Sequence, residues 1–136
     1  MEPSPAPEAR RVSRTCLCPG TDVCRDLIDA GADVICLPMP GSRTGITVDM
    51  IRELVEFCHT YKEGTLVMAF LDGSVEGADE DTVRACGIMS KQTGADIHAI
   101  GDAGICGMSV PEDIYALAIT IKGRRLTWRR LGGSGR

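Results

Sequence analysis

The chain has 136 residues, 43% of them hydrophobic, with 19 acidic against 15 basic side chains and a net charge of −4. That is one domain's worth of ordinary globular composition, and no run approaches the roughly 18 apolar residues a spanning helix requires. The acidic balance argues against nucleic acid as a partner, and the lack of an apolar span argues against a membrane.

Residues 1–20 stand apart from the rest. Pro3, Pro5, Pro7 and Pro19 mix with Ser and Arg and set up no apolar period, so a disordered leader is expected here. Arg10, Arg11 and Arg14 have no apolar core behind them, which excludes a secretory signal. Thr21 or Asp22 can then cap a short helix carrying Val23, Leu27 and Ile28, with Gly31 as the left-handed residue past its end. Residues 34–37 form a continuous apolar run, the pattern of a strand covered on both faces, and Pro38 and Pro40 stop it. Thr47 caps a second helix whose Ile51, Leu54, Val55 and Cys58 recur at i, i+3, i+4, i+7.

Residues 66–71 give the next buried strand, ended by Asp72-Gly73-Ser74. Glu76, Asp79, Glu80 and Asp81 crowd the start of the following helix, where the macrodipole favours negative charge. Its inner side reads as Val83, Cys86 and Met89 or Ser90, and Gly94 ends it. A third strand over 97–100 runs into Gly101-Asp102-Ala103-Gly104-Ile105-Cys106-Gly107. Ser109-Val110-Pro111-Glu112 has the form of a capping box, and Ile114, Leu117, Ala118 and Ile121 are expected to face inward before Gly123 closes the helix. The basic cluster Lys122, Arg124, Arg125, Arg129, Arg130 and Arg136 reads as a solvated end, with 131–136 a flexible tail.

The order is therefore α-βα-βα-βα. Repeat starts at Gly31, Gly64 and Gly94 are one βα unit apart, and the first and third share a Gly-Ala-Asp opening. Recurring βα units imply a parallel sheet. The expected fold is α/β, a partial (βα)8 barrel of three consecutive βα units over 21–130, since a complete eightfold barrel needs about 250 residues. Seven scattered cysteines, an odd number, suit a reducing cytoplasm. Cys16, Cys18 and Cys24 lack the paired C-x2-C spacing of a structural zinc site, so no metal is expected there.

Ligands of parallel α/β proteins bind at the carboxyl ends of the strands. Gly101, Gly104 and Gly107, with Gly73 and Ser74 on the neighbouring strand, are candidate anion-binding residues, because converging amides ahead of a helix start can cradle phosphate. Read more plainly, the same glycines turn the chain. Asp72 and Asp102 stand at matching strand ends and could act as general base or as ligands to a divalent metal such as magnesium, though acids there also form turns. Arg43 could pair an anionic substrate or lie solvated in its loop. His59, near a helix end, and His98, within a strand, read as structural. The partner expected is a small anionic metabolite, beside a homo-oligomer or a complementing amino-terminal half.

Two resemblances bear on this. Phe70-Leu71-Asp72-Gly73-Ser74 looks like the first motif of the haloacid dehalogenase phosphatases, and Ile100-Gly101-Asp102 like their last. That family's nucleophilic aspartate falls at Phe70 here, so covalent phosphoryl transfer lacks its nucleophile and the assignment is rejected. More extensively, residues 22–130 resemble the carboxyl-terminal part of an uncharacterised bacterial (βα)8-barrel family. The marking residues are Asp29-Ala30-Gly31-Ala32-Asp33, Ala95-Asp96-Ile97, Ile100-Gly101-Asp102-Ala103-Gly104, Pro111-Glu112-Asp113-Ile114-Tyr115-Ala116-Leu117 and Ile121-Lys122-Gly123-Arg124-Arg125-Leu126-Thr127. Its members are loosely labelled haloacid dehalogenase-like or likened to phosphoenolpyruvate mutase-type barrels. The resemblance implies that the three strands are the sixth, seventh and eighth of a barrel, holding the phosphate end of a site without most of its reacting groups. A truncated chain with no catalysis of its own is the rival expectation.

Overall fold

The computed structural model describes residues 19–75, 78–101 and 109–133. Helix α1 (Thr21–Asp29) leads into strand β1 (Val34–Pro38), helix α2 (Val48–Tyr61) and strand β2 (Leu66–Leu71). A single 3-10 turn (Gly73–Val75) precedes helix α3 (Glu80–Thr93), strand β3 (Ile97–Ile100), helix α4 (Pro111–Lys122) and helix α5 (Arg124–Gly132). The strands lie in the order β1-β2-β3 and both pairings are parallel, in register from Val34 with Leu66 to Pro38 with Phe70, and from Met68 with Ile97 to Leu71 with Ile100. The molecule is thus an α/β fold of three consecutive parallel βα units, as the repeat predicts.

Sequential order with right-handed crossovers sets the helices on one face of the sheet. They form a row in which α1 touches α2, α2 touches α3, and α3 touches α4. Helix α2 lies against both β1 and β2. Helix α3 meets β2 through Val83 and Cys86 against Ala69 and Leu71, and meets β3 through a 2.9 Å bond between Ser90 Oγ and His98 Nδ1. The core fills the gap between helix row and sheet, with Ile35, Leu37, Val67, Ala69 and Leu71 at most 2% exposed.

The opposite face is where expectation and structure part. An apolar run predicts a strand covered on both faces, yet Val34, Leu66 and Ile97 are 39%, 41% and 37% exposed, and Cys36 is exposed too. Alternate residues of the strands therefore form a largely apolar second face that no element among the described residues covers.

The helix starts follow local chemistry. Thr47 caps α2 through a 3.4 Å bond from Met50 N, and Asp79 caps α3 through a 2.7 Å bond from Thr82 N. The amide of Thr82 holds the Asp79 carboxyl below its ordinary range. Gly94 ends α3 with φ +82°, as a left-handed stop requires.

Other expectations need correction. Helix α4 begins one residue later than the capping-box pattern places it, with Val110 rather than Ser109 as N-cap and Pro111 in the first turn, where a missing N–H costs nothing. The buried face of α1 is Cys24 and Ile28, while Val23 and Leu27 lie 47% and 46% exposed. On α4 the buried residues are Asp113, Ala116 and Leu117, and Ile114 is 39% exposed. The basic side chains of Lys122, Arg124, Arg125, Arg129 and Arg130 are exposed, as expected, but the segment that carries them is helical as far as Gly132. It is fixed by Thr127 Oγ1 donating to Ala118 O at 3.0 Å and by Trp128 Nε1 donating to Tyr115 Oη.

Two further features of the packing matter below. Gly87 lets α3 and α4 close on each other: a Cβ there would stand 3.0 Å from Leu117 Cδ1 and from Thr120 Cγ2. Cys24 of α1 and Cys58 of α2 are both buried, and burial followed by the neighbouring Cys24 pushes the Cys58 thiol up to about 12. At that value it is a small apolar filler, not a nucleophile.

Candidate functional site

The carboxyl ends of the three strands lie at one rim of the sheet because all pairings are parallel. The loop after β1 is tightly built. Met39 N continues the ladder to Phe70 O at 2.9 Å, Ser42 bonds Met39 O through both its amide and its hydroxyl, and Ile46 N closes on Arg43 O at 3.2 Å. Met39, Pro40, Ser42 and Ile46 are buried. Arg43 is therefore presented by a fixed turn.

Its guanidinium goes to Phe70 on β2 and to Asp72, the residue that follows the strand. Arg43 Nη2 donates to Asp72 Oδ2 at 2.5 Å, and its Cζ lies 6.0 Å from the centroid of the Phe70 ring. Phe70 belongs to the uncovered face of the sheet, since it alternates with the buried Ala69 and Leu71. The cation thus sits at the junction of the carboxyl rim and the open face, half-shielded by an aromatic surface that suits it. With its side chain 36% exposed, it keeps donors for a ligand.

Asp72 is not the free acid that its position suggests. One oxygen is taken by Arg43, in the place a divalent cation would need. The other, Oδ1, is buried and has no hydrogen-bond partner among the described residues. An orphaned acceptor beside a guanidinium can take a hydroxyl while the arginine takes an anion. Among the described residues no three His, Cys, Asp or Glu side chains converge as a metal site would require.

The other candidates divide. Gly73 (φ +75°) and Ser74 form the exposed 3-10 turn next to Asp72. Gly101 (φ +126°) follows β3, and its amide bonds Leu71 O at 3.1 Å, so its own N–H is spent on the sheet rather than on a ligand. A Cβ at Gly101 would come within 3.3 Å of Ser109 Oγ, so a side chain there would crowd the start of α4. Asp102, Gly104 and Gly107 lie outside the described residues. What sequence reasoning missed is the Arg43–Asp72 pairing, 29 residues apart. The available signal was the pairing of Pro38 with Phe70, which places the two following loops side by side.

Both histidines make internal contacts. His59 Nε2 meets Asp96 Oδ2 at 2.8 Å at the opposite, amino-terminal rim, and the same oxygen accepts from Val67 N at 2.8 Å. Burial holds the His98 imidazole below its ordinary range, neutral beside Ser90.

Among the described residues no helix is long and apolar enough to cross a membrane. No curated protein and no solved structure matches the chain. A family model does match, over residues 13–136, so the chain belongs to the family described as Domain of unknown function (DUF7916).

Proposed function

We propose that this chain is the closing part of a (βα)8 barrel, contributing an anion-binding rim to a cytoplasmic enzyme that acts on a small phosphorylated or carboxylated metabolite. The barrel reading is supported by the sequential parallel order, the single-sided helix row and the apolar open face. In a closed barrel that face becomes the filled interior. The single observation that carries the anion reading is the placement of Arg43, clamped by Asp72 over Phe70 where rim and interior meet.

In this reading Arg43 holds the anion and Asp72 is its positioning residue. The free Oδ1 of Asp72 accepts from a hydroxyl one or two atoms away from the anionic group. Gly73 and Ser74 supply the adjacent turn. Reacting groups come from other strands of such barrels, so the isolated chain binds without turning substrate over.

Thermal unfolding in inorganic phosphate tests this. A ligand that binds only the folded chain adds about 2.7 kcal/mol when present at about 100 times its Kd. Phosphate is expected to raise Tm and Arg43→Ala to abolish that rise, while also lowering Tm without phosphate because the part-buried Asp72 carboxylate loses its ion pair. A phosphate-dependent rise that survives Arg43→Ala, or no rise in the parent chain, removes the reading.

A further inference from the structure

Helix α5 breaks a rule that the other four helices keep. The first turns of α1, α2, α3 and α4 carry Asp22, Asp49, Glu80 with Asp81, and Glu112 with Asp113, where the macrodipole favours negative charge. The first turn of α5 has no acid and opens on Arg124 and Arg125. Arg125 and Arg129 then stand one turn apart on the same side, a like-charge spacing that disfavours the helix further. Natural proteins accept such conflict between local preference and fold chiefly at functional sites.

The charges go unanswered. Arg25, Arg43, Arg52 and Arg84 each reach an aspartate or glutamate. Among the described residues no carboxylate reaches Arg124, Arg125, Arg129 or Arg130, and all four are exposed. Residues 114–136 hold six of the 15 basic side chains and none of the 19 acidic ones, so the net charge of −4 conceals a basic patch on an acidic body. The residues outside the described ones hold four acids against four arginines and bring no net charge to offset it. Thr127 and Trp128 tie α5 to Ala118 and Tyr115 of α4, which fixes the helix that carries the guanidinium groups.

Trp128 decides the partner. It is the chain's single tryptophan, it is 54% exposed, and Arg124 Cζ lies 5.8 Å from its ring centroid. An exposed indole among unpaired guanidinium groups suits a partner that offers phosphates and flat bases together. A membrane fits less well, because Leu126 stands across the helix from Trp128 and Leu131 and no single apolar face results. An acidic peptide would answer the charge but leave the indole unused. We propose that α5 binds single-stranded nucleic acid, with Arg124, Arg125, Arg129 and Arg130 on phosphates and Trp128 stacked on a base. Nine residues at about 1.5 Å each make a helix about 13 Å long, which spans a few nucleotides. This is independent of the barrel reading and of the anion rim.

Titration of the full chain with a ten-residue oligouridine, read by quenching of Trp128 fluorescence, tests it. Saturable quenching is expected at low salt, and four phosphate contacts on a single strand give a slope of log K against log salt of about −3. Arg125→Glu combined with Arg129→Glu is expected to abolish binding while Tm holds or rises, since it gives the first turn the acid it lacks. Arg129→Gln alone, which disturbs the helix least, should weaken binding and make the slope shallower by about 0.7. Lys62→Ala, at the end of α2, should change nothing. Absent quenching at low salt, quenching that survives the double variant, or a slope unchanged by Arg129→Gln each overturns the proposal. Equal or tighter binding of polyglutamate, or of anionic phospholipid vesicles, also overturns it by assigning the patch to another class of partner.

Discussion

The two faces of the sheet have nearly the same composition and opposite fates. On the helix side Ile35, Leu37, Val67, Ala69 and Leu71 are sealed, while on the other side Val34, Cys36, Leu66 and Ile97 meet solvent. Monomeric proteins rarely leave a contiguous apolar surface uncovered without a use for it. The contrast teaches that the residue pattern records the burial each position is built for, including burial that the described residues do not provide.

That contrast can be broken by substitution. The largest effect is expected at Leu37→Ala, fully buried beneath α2, which should cost about 3 kcal/mol in urea unfolding through lost transfer energy and the cavity left behind. A cost under about 1 kcal/mol would mean that the helix-side core is not packed as described. His98 gives a smaller, pH-dependent effect. Its folded pKa is depressed, so its contribution is complete above the unfolded value of about 6.5 and is lost as pH falls through the folded value. Stability should therefore decline on acidification below pH about 6.5, no more steeply than about 1.4 kcal/mol per pH unit from this group, and His98→Asn should flatten that slope. The smallest effect is expected at Leu66→Ser, on the open face, which should shift stability of the chain alone by no more than about 0.5 kcal/mol. A large loss there would show the face to be covered already.

Much of the fold was legible because single positions decide it. Thr47, Asp79 and Gly94 mark helix boundaries by their own hydrogen bonding and backbone preference, and the structure uses all three. Three parallel strands followed from spacing alone. Of the apolar residues that α1 carries only Ile28 is buried, beside Cys24, since nine residues carry two adjacent apolar stripes and the packing selects one of them. Helix α5 has no apolar period to read, and it is held by Thr127 and Trp128 contacts to α4. At the site, strand ends located Asp72, Gly73, Ser74 and Gly101 correctly. The engagement of Asp72 by Arg43 is a tertiary event that no local window contains.

Gly87 acts on a place it never touches. Where α3 and α4 pack, the missing side chain lets Leu117 and Thr120 settle directly on backbone. Leu117 also lines the groove of about 340 Å³ beside β3. A single methyl at position 87 would press on Leu117 from behind and so reach that groove from a residue hidden inside the molecule.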